Sequence, residues 1–112
     1  MKRFFSLIFI STMIVGINYA QDQGVLVMGV VKGIDNNPLT GVSVTVQGYP
    51  FLETITDTNG MFVIRVPRGS ILVFSYIGYV TRSFPINTSA PWLSFEVILW
   101  EDVDFYPAQL SP

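Results

Sequence analysis

The sequence predicts an all-β fold, a seven-stranded antiparallel β-sandwich with Greek-key connections, and three observations point to it. Stretches with a side-chain period of two recur at intervals of about ten residues. Clusters of Gly, Pro, Asn and Asp separate them. Beyond the N-terminal segment, no window of about eleven residues or more has helical periodicity.

The elements follow in chain order. Val25 to Ile34 is a nearly continuous apolar run containing Gly29 and Gly33. It reads as a strand covered on both faces, or bent where a neighbour comes close. Asp35-Asn36-Asn37-Pro38 is turn chemistry, closed by Gly41. In Val42-Ser43-Val44-Thr45-Val46-Gln47 the valines share one face, the pattern of a half-buried strand. Gly48-Tyr49-Pro50 interrupts it, and a short extended piece, Glu53 to Thr56, leads to the polar turn Asp57-Thr58-Asn59-Gly60. Asp57 and Asn59 can bond their own backbone there, and Gly60 can take positive φ, so this turn reads as a hairpin tip. Beyond it Phe62, Ile64 and Val66 fall on one face and Met61, Val63 and Arg65 on the other, until Pro67 ends the ladder. Ile71 to Tyr76, rich in aromatic and β-branched residues, has the composition of a central strand. Gly78 marks a bulge or bend that would let Tyr76 and Tyr79 point at different surfaces. Tyr79 to Ile86 is extended again, with Pro85 placing it at an edge, and Asn87 to Pro91 is a loop. Ser94 to Trp100 alternates once more, with Phe95, Val97 and Leu99 together. Two stretches are the expected sheet edges, Val25 to Val31 and Arg82 to Ile86.

Composition narrows the chemistry. The 112 residues provide one domain and no second core. Met1 to Ala20 has Lys2 and Arg3, an apolar run, and a small residue before the polar Gln21-Asp22-Gln23. That is the form of a cleaved secretory signal, the other reading being an uncleaved anchor. The expected organisation is a signal at 1–20, a short tail at 21–24, the sandwich at 25–100 and an acidic tail at 101–112. Beyond the signal, four basic side chains (Lys32, Arg65, Arg68, Arg82) stand against eight acidic ones, a net charge of −4. Such a balance disfavours nucleic acid as a partner. There is no Cys and no His. Disulfides, thiolate chemistry and the commonest general base and metal ligand are thereby removed.

The remaining candidates each have a plainer reading. Asp57-x-Asn59-Gly60 has the opening of a calcium loop but lacks the later carboxylates that would complete an oxygen shell. Glu101, Asp102 and Asp104 could meet a cation or a basic partner, or form a solvated tail. Tyr49, Phe51, Tyr76, Tyr79, Trp92 and Trp100 could form a carbohydrate platform, or pack within the core and loops. No Ser has a base to activate it, so no catalytic, cofactor or metal residue is assigned. A hydrolase reading would need Ser75 and Asp57 or other carboxylates gathered by the fold.

Four blocks in order carry a resemblance: Gly29-x-Val31; Pro38-Leu39-x-Gly41-Val42-Ser43-Val44-x-Val46-x-Gly48; Thr56-Asp57-x-x-Gly60-x-Phe62; and Leu72 through Tyr79. Over about Val25 to Leu99 the chain resembles the carboxypeptidase-regulatory-like domain. The form it is most similar to stands at the mature N-terminus of SusC/RagA-type TonB-linked outer-membrane transporters. The resemblance implies a transthyretin-like (prealbumin-like) sandwich in a Gram-negative periplasm, an accessory fold without catalytic residues or cofactor. On this reading Gly41 and Gly60 serve turns, Asp57 braces the tip, Phe62 and Tyr79 serve packing, and Tyr76 and Gly78 complete the structural motif. The chain departs from the family pattern at Glu101 to Tyr106, where a Val-rich energy-coupling segment is expected.

A transmembrane barrel needs at least eight strands of about ten residues, more than these residues can provide, so transport by this chain alone is excluded. The function expected is a non-catalytic, exported protein-interaction module, periplasmic or associated with the outer membrane. Its expected partner is a transporter barrel or plug, or a TonB-type coupling component. It would be either a truncated or split transporter N-terminus or a free-standing module. The alternative is a free-standing carbohydrate-binding module.

Overall fold

The computed structural model describes residues 22–103. The expected signal segment and most of the acidic tail lie outside them. Seven strands form: β1 (Val25–Gly33), β2 (Ser43–Val46), β3 (Tyr49–Ile55), β4 (Met61–Val66), β5 (Ile71–Ser75), β6 (Arg82–Pro85) and β7 (Trp92–Leu99). They make two sheets, one of order β4-β1-β7 and one of order β3-β2-β5-β6. The chain changes sheet between β1 and β2, β3 and β4, β4 and β5, and β6 and β7, which is how the sheets come to face one another as a sandwich.

One strand pair departs from the antiparallel expectation. β1 and β7 run parallel, Leu26 opposite Trp92 through Gly33 opposite Leu99, while every other pair is antiparallel. β1 is therefore the centre of its sheet and not an edge, which corrects the edge assignment of Val25 to Val31. Its continuous apolar run fits a central strand. β6 is the edge that Pro85 suggests.

The alternation seen in the sequence sorts side chains as expected. Val25, Val27 and Val31 of β1, Val44 of β2, Leu72 and Phe74 of β5, and Val97 and Leu99 of β7 are fully buried. Phe62 sits edge-on to Phe74 with centroids 5.1 Å apart, and Phe74 sits edge-on to Phe84 at 5.6 Å. Pairs of this kind add about 0.5–1.5 kcal/mol each beyond the area they bury. Gly29 makes room for the cluster. A Cβ there would stand 1.9 Å from the Phe95 carbonyl oxygen and 3.2 Å from the Phe62 ring.

Two local expectations are revised. The turn at Asp57 to Gly60 is not a hairpin tip. Ile55 pairs with Ser43 in one sheet and Met61 with Val30 in the other, so the turn carries the chain between sheets. Thr56 directs this crossing. It is 3% exposed; its hydroxyl accepts the Val42 N–H at 2.9 Å and donates to the Leu39 carbonyl at 2.7 Å. Nor do Gly48 to Pro50 interrupt the strand region for long. β2 and β3 form a tight hairpin with Val46 opposite Tyr49, and the register shift between Thr45 and Val46 accommodates Pro50 in an edge strand.

Candidate interaction surface

The outward faces of the two sheets differ in chemistry. On the β4-β1-β7 sheet the outward residues align in rows set by the strand register: Arg65, Leu26, Trp92; then Val63, Met28, Ser94; then Met61, Val30, Glu96; with Lys32 beside Ile98 at the end. Met61, Val63 and Trp92 are more than half exposed, at 53%, 57% and 58%. Leu26, Met28, Val30 and Ile98 are partly exposed. On the other sheet the central outward positions, Ser43 and Thr45, are small and polar, flanked by Ser75 and Ile55 and by Glu53 and Val73, and the apolar Ile55, Phe51 and Ile71 are exposed around them. Ser83 follows Val73 on β6. With strands ~4.8 Å apart and outward side chains ~6.6 Å apart along each strand, the apolar face spans about 300 Å². Exposed apolar patches of that size on a monomer often mark contact sites.

Charges border this face. Lys32 Nζ lies 2.9 Å from Glu96 Oε2, closing an ion pair at one end. At the other end Arg65 makes one long hydrogen bond, Nη1 to the Gln23 carbonyl at 3.3 Å, and has no carboxylate partner among the described residues. A cavity of about 460 Å³ beside it is also lined by Leu52, Pro67, Arg68 and Asp22. That aspartate is already engaged: Arg68 Nε donates to Oδ2 at 3.0 Å and Nη2 to Oδ1 at 3.1 Å. Arg68 also donates to the carbonyls of Thr88, Ala90 and Gly24. One guanidinium thus clasps the start of β1, the β4–β5 turn and the loop before β7. The Arg68 hydrogen bonds hold the Asp22 carboxyl below the usual aspartate range, helped by the Gly24 N–H. The Asp35 carboxyl is lowered likewise by the backbone and side-chain N–H groups of Asn37.

Sheet edges are protected unevenly. Arg82 Nη1 donates to the Ile98 carbonyl at 3.0 Å, capping the open side of β7, and its guanidinium lies over the rings of Phe84 and Trp100 at 4.8 and 5.0 Å. The Val80 N–H donates to the Trp100 carbonyl and the Asp102 N–H to the Gly78 carbonyl, so Glu101 and Asp102 run against the Gly78 to Val80 segment. On β3 the register shift, Pro50 and Glu53 blunt the edge, leaving Phe51 94% exposed.

The residues singled out in the sequence do not converge on one site. Asp57 and Gly60 share one turn, where Asp57 Oδ1 accepts the N–H groups of Asn59 and Met61, both at 2.9 Å. Gly60 has φ +74°, and a Cβ there would stand 2.6 Å from the Val31 carbonyl oxygen, so two constraints select glycine. Phe62 is in the core. Tyr76 and Tyr79 do not point at different surfaces: the turn at Gly78, closed by the Tyr79 N–H on the Tyr76 carbonyl, brings their rings to 5.3 Å from one another. Gly41 and Tyr76 line one shallow cavity with Ser43, Ser75 and Ile77, and no carboxylate or other base borders it. Asp57 is committed to its own turn, so Ser75 gains nothing from it.

The six aromatics of the glycan reading are dispersed as well. Trp92 is on the apolar face, Tyr49 and Phe51 are on the other sheet's edge, Tyr76 packs with Tyr79, and Trp100 lies under Arg82. Sequence reasoning missed Thr56 and the Arg68 clasp, while the close approach of a neighbour expected in the run holding Gly29 is the contact with Phe95 and Phe62. Only the apolar Met61 and Val63 on β4's outward side signalled the face.

These features define a small β-sandwich domain whose distinctive chemistry lies on its surface. The chain belongs to the CarboxypepD_reg-like domain family, which it matches over residues 27–102. This domain type is a non-catalytic module of TonB-dependent receptors. The chain is 34% identical over 82 residues to the TonB-dependent receptor SusC of Bacteroides thetaiotaomicron, covering 73% of this chain and 8% of that protein. It is 41% identical over 63 residues to the TonB-dependent receptor P39 of Formosa agariphila, covering 55% and 6%. The chain thus spans less than a tenth of the length of these curated relatives. Its fold is also similar to a chain in an interface mutant of a type II cohesin–X-dockerin complex from Acetivibrio cellulolyticus, with a TM-score of 0.58. There the identity is 20% over 70% of this chain and 58% of that one, a likeness of fold alone.

Proposed function

We propose that this chain is a non-catalytic protein-interaction module of the cell envelope, periplasmic or outer-membrane-associated. It corresponds to the N-terminal extension of TonB-dependent nutrient receptors. Its partner is a receptor barrel or plug, or a TonB-type coupling component. The kinship with two receptors over the sandwich region supports the setting. The observation that carries the mode of action is the asymmetry of the two outward faces. Met61, Val63 and Trp92 flank an apolar central strand (Leu26, Met28, Val30) and leave one face continuously apolar, which costs solvation unless something covers it; on the other face Ser43 and Thr45 of the central β2 separate the exposed Phe51 and Ile55 of β3 from Ile71 and Val73 of β5. Gly41, Asp57, Gly60, Phe62, Tyr76, Gly78 and Tyr79 serve as scaffold, shaping turns and core so that this face is presented.

The test is site-specific photocrosslinking in cells that make the protein, with the crosslinker at Met28 and, as control, at Thr45. Adducts to a TonB-dependent receptor or coupling protein from Met28 alone are expected. Equal labelling from both positions would refute the surface, and no receptor or coupling protein at either would refute the partner class.

A further inference from the structure

We infer that the β4-β1-β7 face docks on a different protein through an apolar surface carrying a carboxylate, and that Arg65 reads that carboxylate. The inference rests on the proposed function's reading of this face as an interface and adds the partner's chemistry. Lys32 and Glu96 neutralise each other at 2.9 Å, so among the described residues the charge left on the face is Arg65. Its neighbour Asp22 has both oxygens on Arg68, leaving Arg65 to an outside acceptor. Arg65 shares its row with Leu26 and Trp92, so a group bound to it lies against apolar surface, where a charge-assisted hydrogen bond is stronger than in open water.

A second copy of the chain meets this need less well: Glu96 is the carboxylate in the rows, and Lys32 already holds it at 2.9 Å, so an Arg65 reaching it from another copy would compete with Lys32. The partner therefore offers what this face lacks. At about 300 Å² the patch is below the ~800 Å² per partner of a standard stable interface, so the contact is transient and the ion pair sets its specificity.

Trp92, two strands or about 10 Å from Arg65 in the same row, is a reporter, and Trp100, beneath Arg82, is an internal control. The protein is labelled with 5-fluorotryptophan and its fluorine resonances are followed on adding a peptide alternating leucine with aspartate, or its leucine–lysine counterpart. The net charge of −4 beyond the signal favours the lysine peptide globally, so preference for aspartate reports a local site. The expected result is a shift of the Trp92 resonance with the aspartate peptide binding at least tenfold more tightly. Arg65→Lys should keep that order and Arg65→Glu reverse it, with unfolding midpoints unchanged.

Equal binding of both peptides at Trp92 would overturn the inference and leave the surface standing. Shifts confined to Trp100, or no response to either peptide, would overturn both. A Trp92 shift that depends on protein concentration without peptide would replace the partner with a second copy and overturn the inference.

Discussion

Replacing Thr56 with valine isolates one polar contact at the crossing between sheets. Valine keeps the shape and β-branching of threonine, so little packing changes, but the hydroxyl that holds Val42 N–H and the Leu39 carbonyl is lost. Val42 is fully buried and Thr56 is 3% exposed, so water cannot readily replace that hydroxyl. A buried donor left unsatisfied costs about 1–3 kcal/mol, and the carbonyl loses an acceptor bond besides, so a loss of about 2–3 kcal/mol is expected. For a domain of this size each kcal/mol moves the thermal midpoint by roughly 4–8 °C, giving a drop of about 10–20 °C. Thr56→Ser keeps the hydroxyl and removes one methyl, so it should cost only ~1 kcal/mol. Thermal and urea unfolding of both variants, followed by circular dichroism, measures the difference. If Thr56→Val proved as stable as Thr56→Ser, the hydroxyl would not be what anchors the crossing.

Gly29→Ala should be more damaging than any outward substitution, because its Cβ would meet the Phe95 carbonyl oxygen at 1.9 Å and force β1 from β7. A loss above ~3 kcal/mol is expected in urea unfolding, or no folded product at all. Met61→Thr with Val63→Thr removes apolar surface that is already exposed, so stability should stay within about 0.5 kcal/mol per site while crosslinking from Met28 falls. Asp22 should titrate below the usual aspartate range by NMR and return toward it in Arg68→Gln. Because folding lowers this carboxyl's pKa, its contribution to stability is present above the usual aspartate range and disappears as pH falls through the lowered value. The reverse pH dependence would mean the clasp is not formed.

What the sequence made legible was local, and what it concealed was pairing. Alternation in Met61 to Val66 and Val42 to Val46 revealed which side chains face inward, because a period of two is a property of one strand alone. Neighbours in a sheet are not local. Val25 to Gly33 reads equally well as a bent edge or a central strand until β7 returns alongside it in parallel. The Asp57 to Gly60 turn has the same hydrogen bonds whether the next strand rejoins its sheet or crosses to the other. Burial of Thr56 decides that, and a threonine beside a polar turn gives no sign of it. The candidate surface was half visible. Met61 and Val63 violated the polar-out rule, but their alignment with Leu26, Met28 and Val30 required the register.

That violation bears on function more than any motif does. An outward methionine and valine at 53% and 57% exposure gain little from folding, since their surface stays in water either way. The opposite sheet also exposes apolar side chains on its β3 edge, Ile55 and Phe51, but its central strand carries Ser43 and Thr45 outward where β1 carries Leu26, Met28 and Val30, so the fold itself does not require an apolar centre. A face that stability does not demand and solubility opposes is what the proposed contact accounts for. Arg65, unmatched by a carboxylate among the described residues at its border, gives the proposed contact a sign.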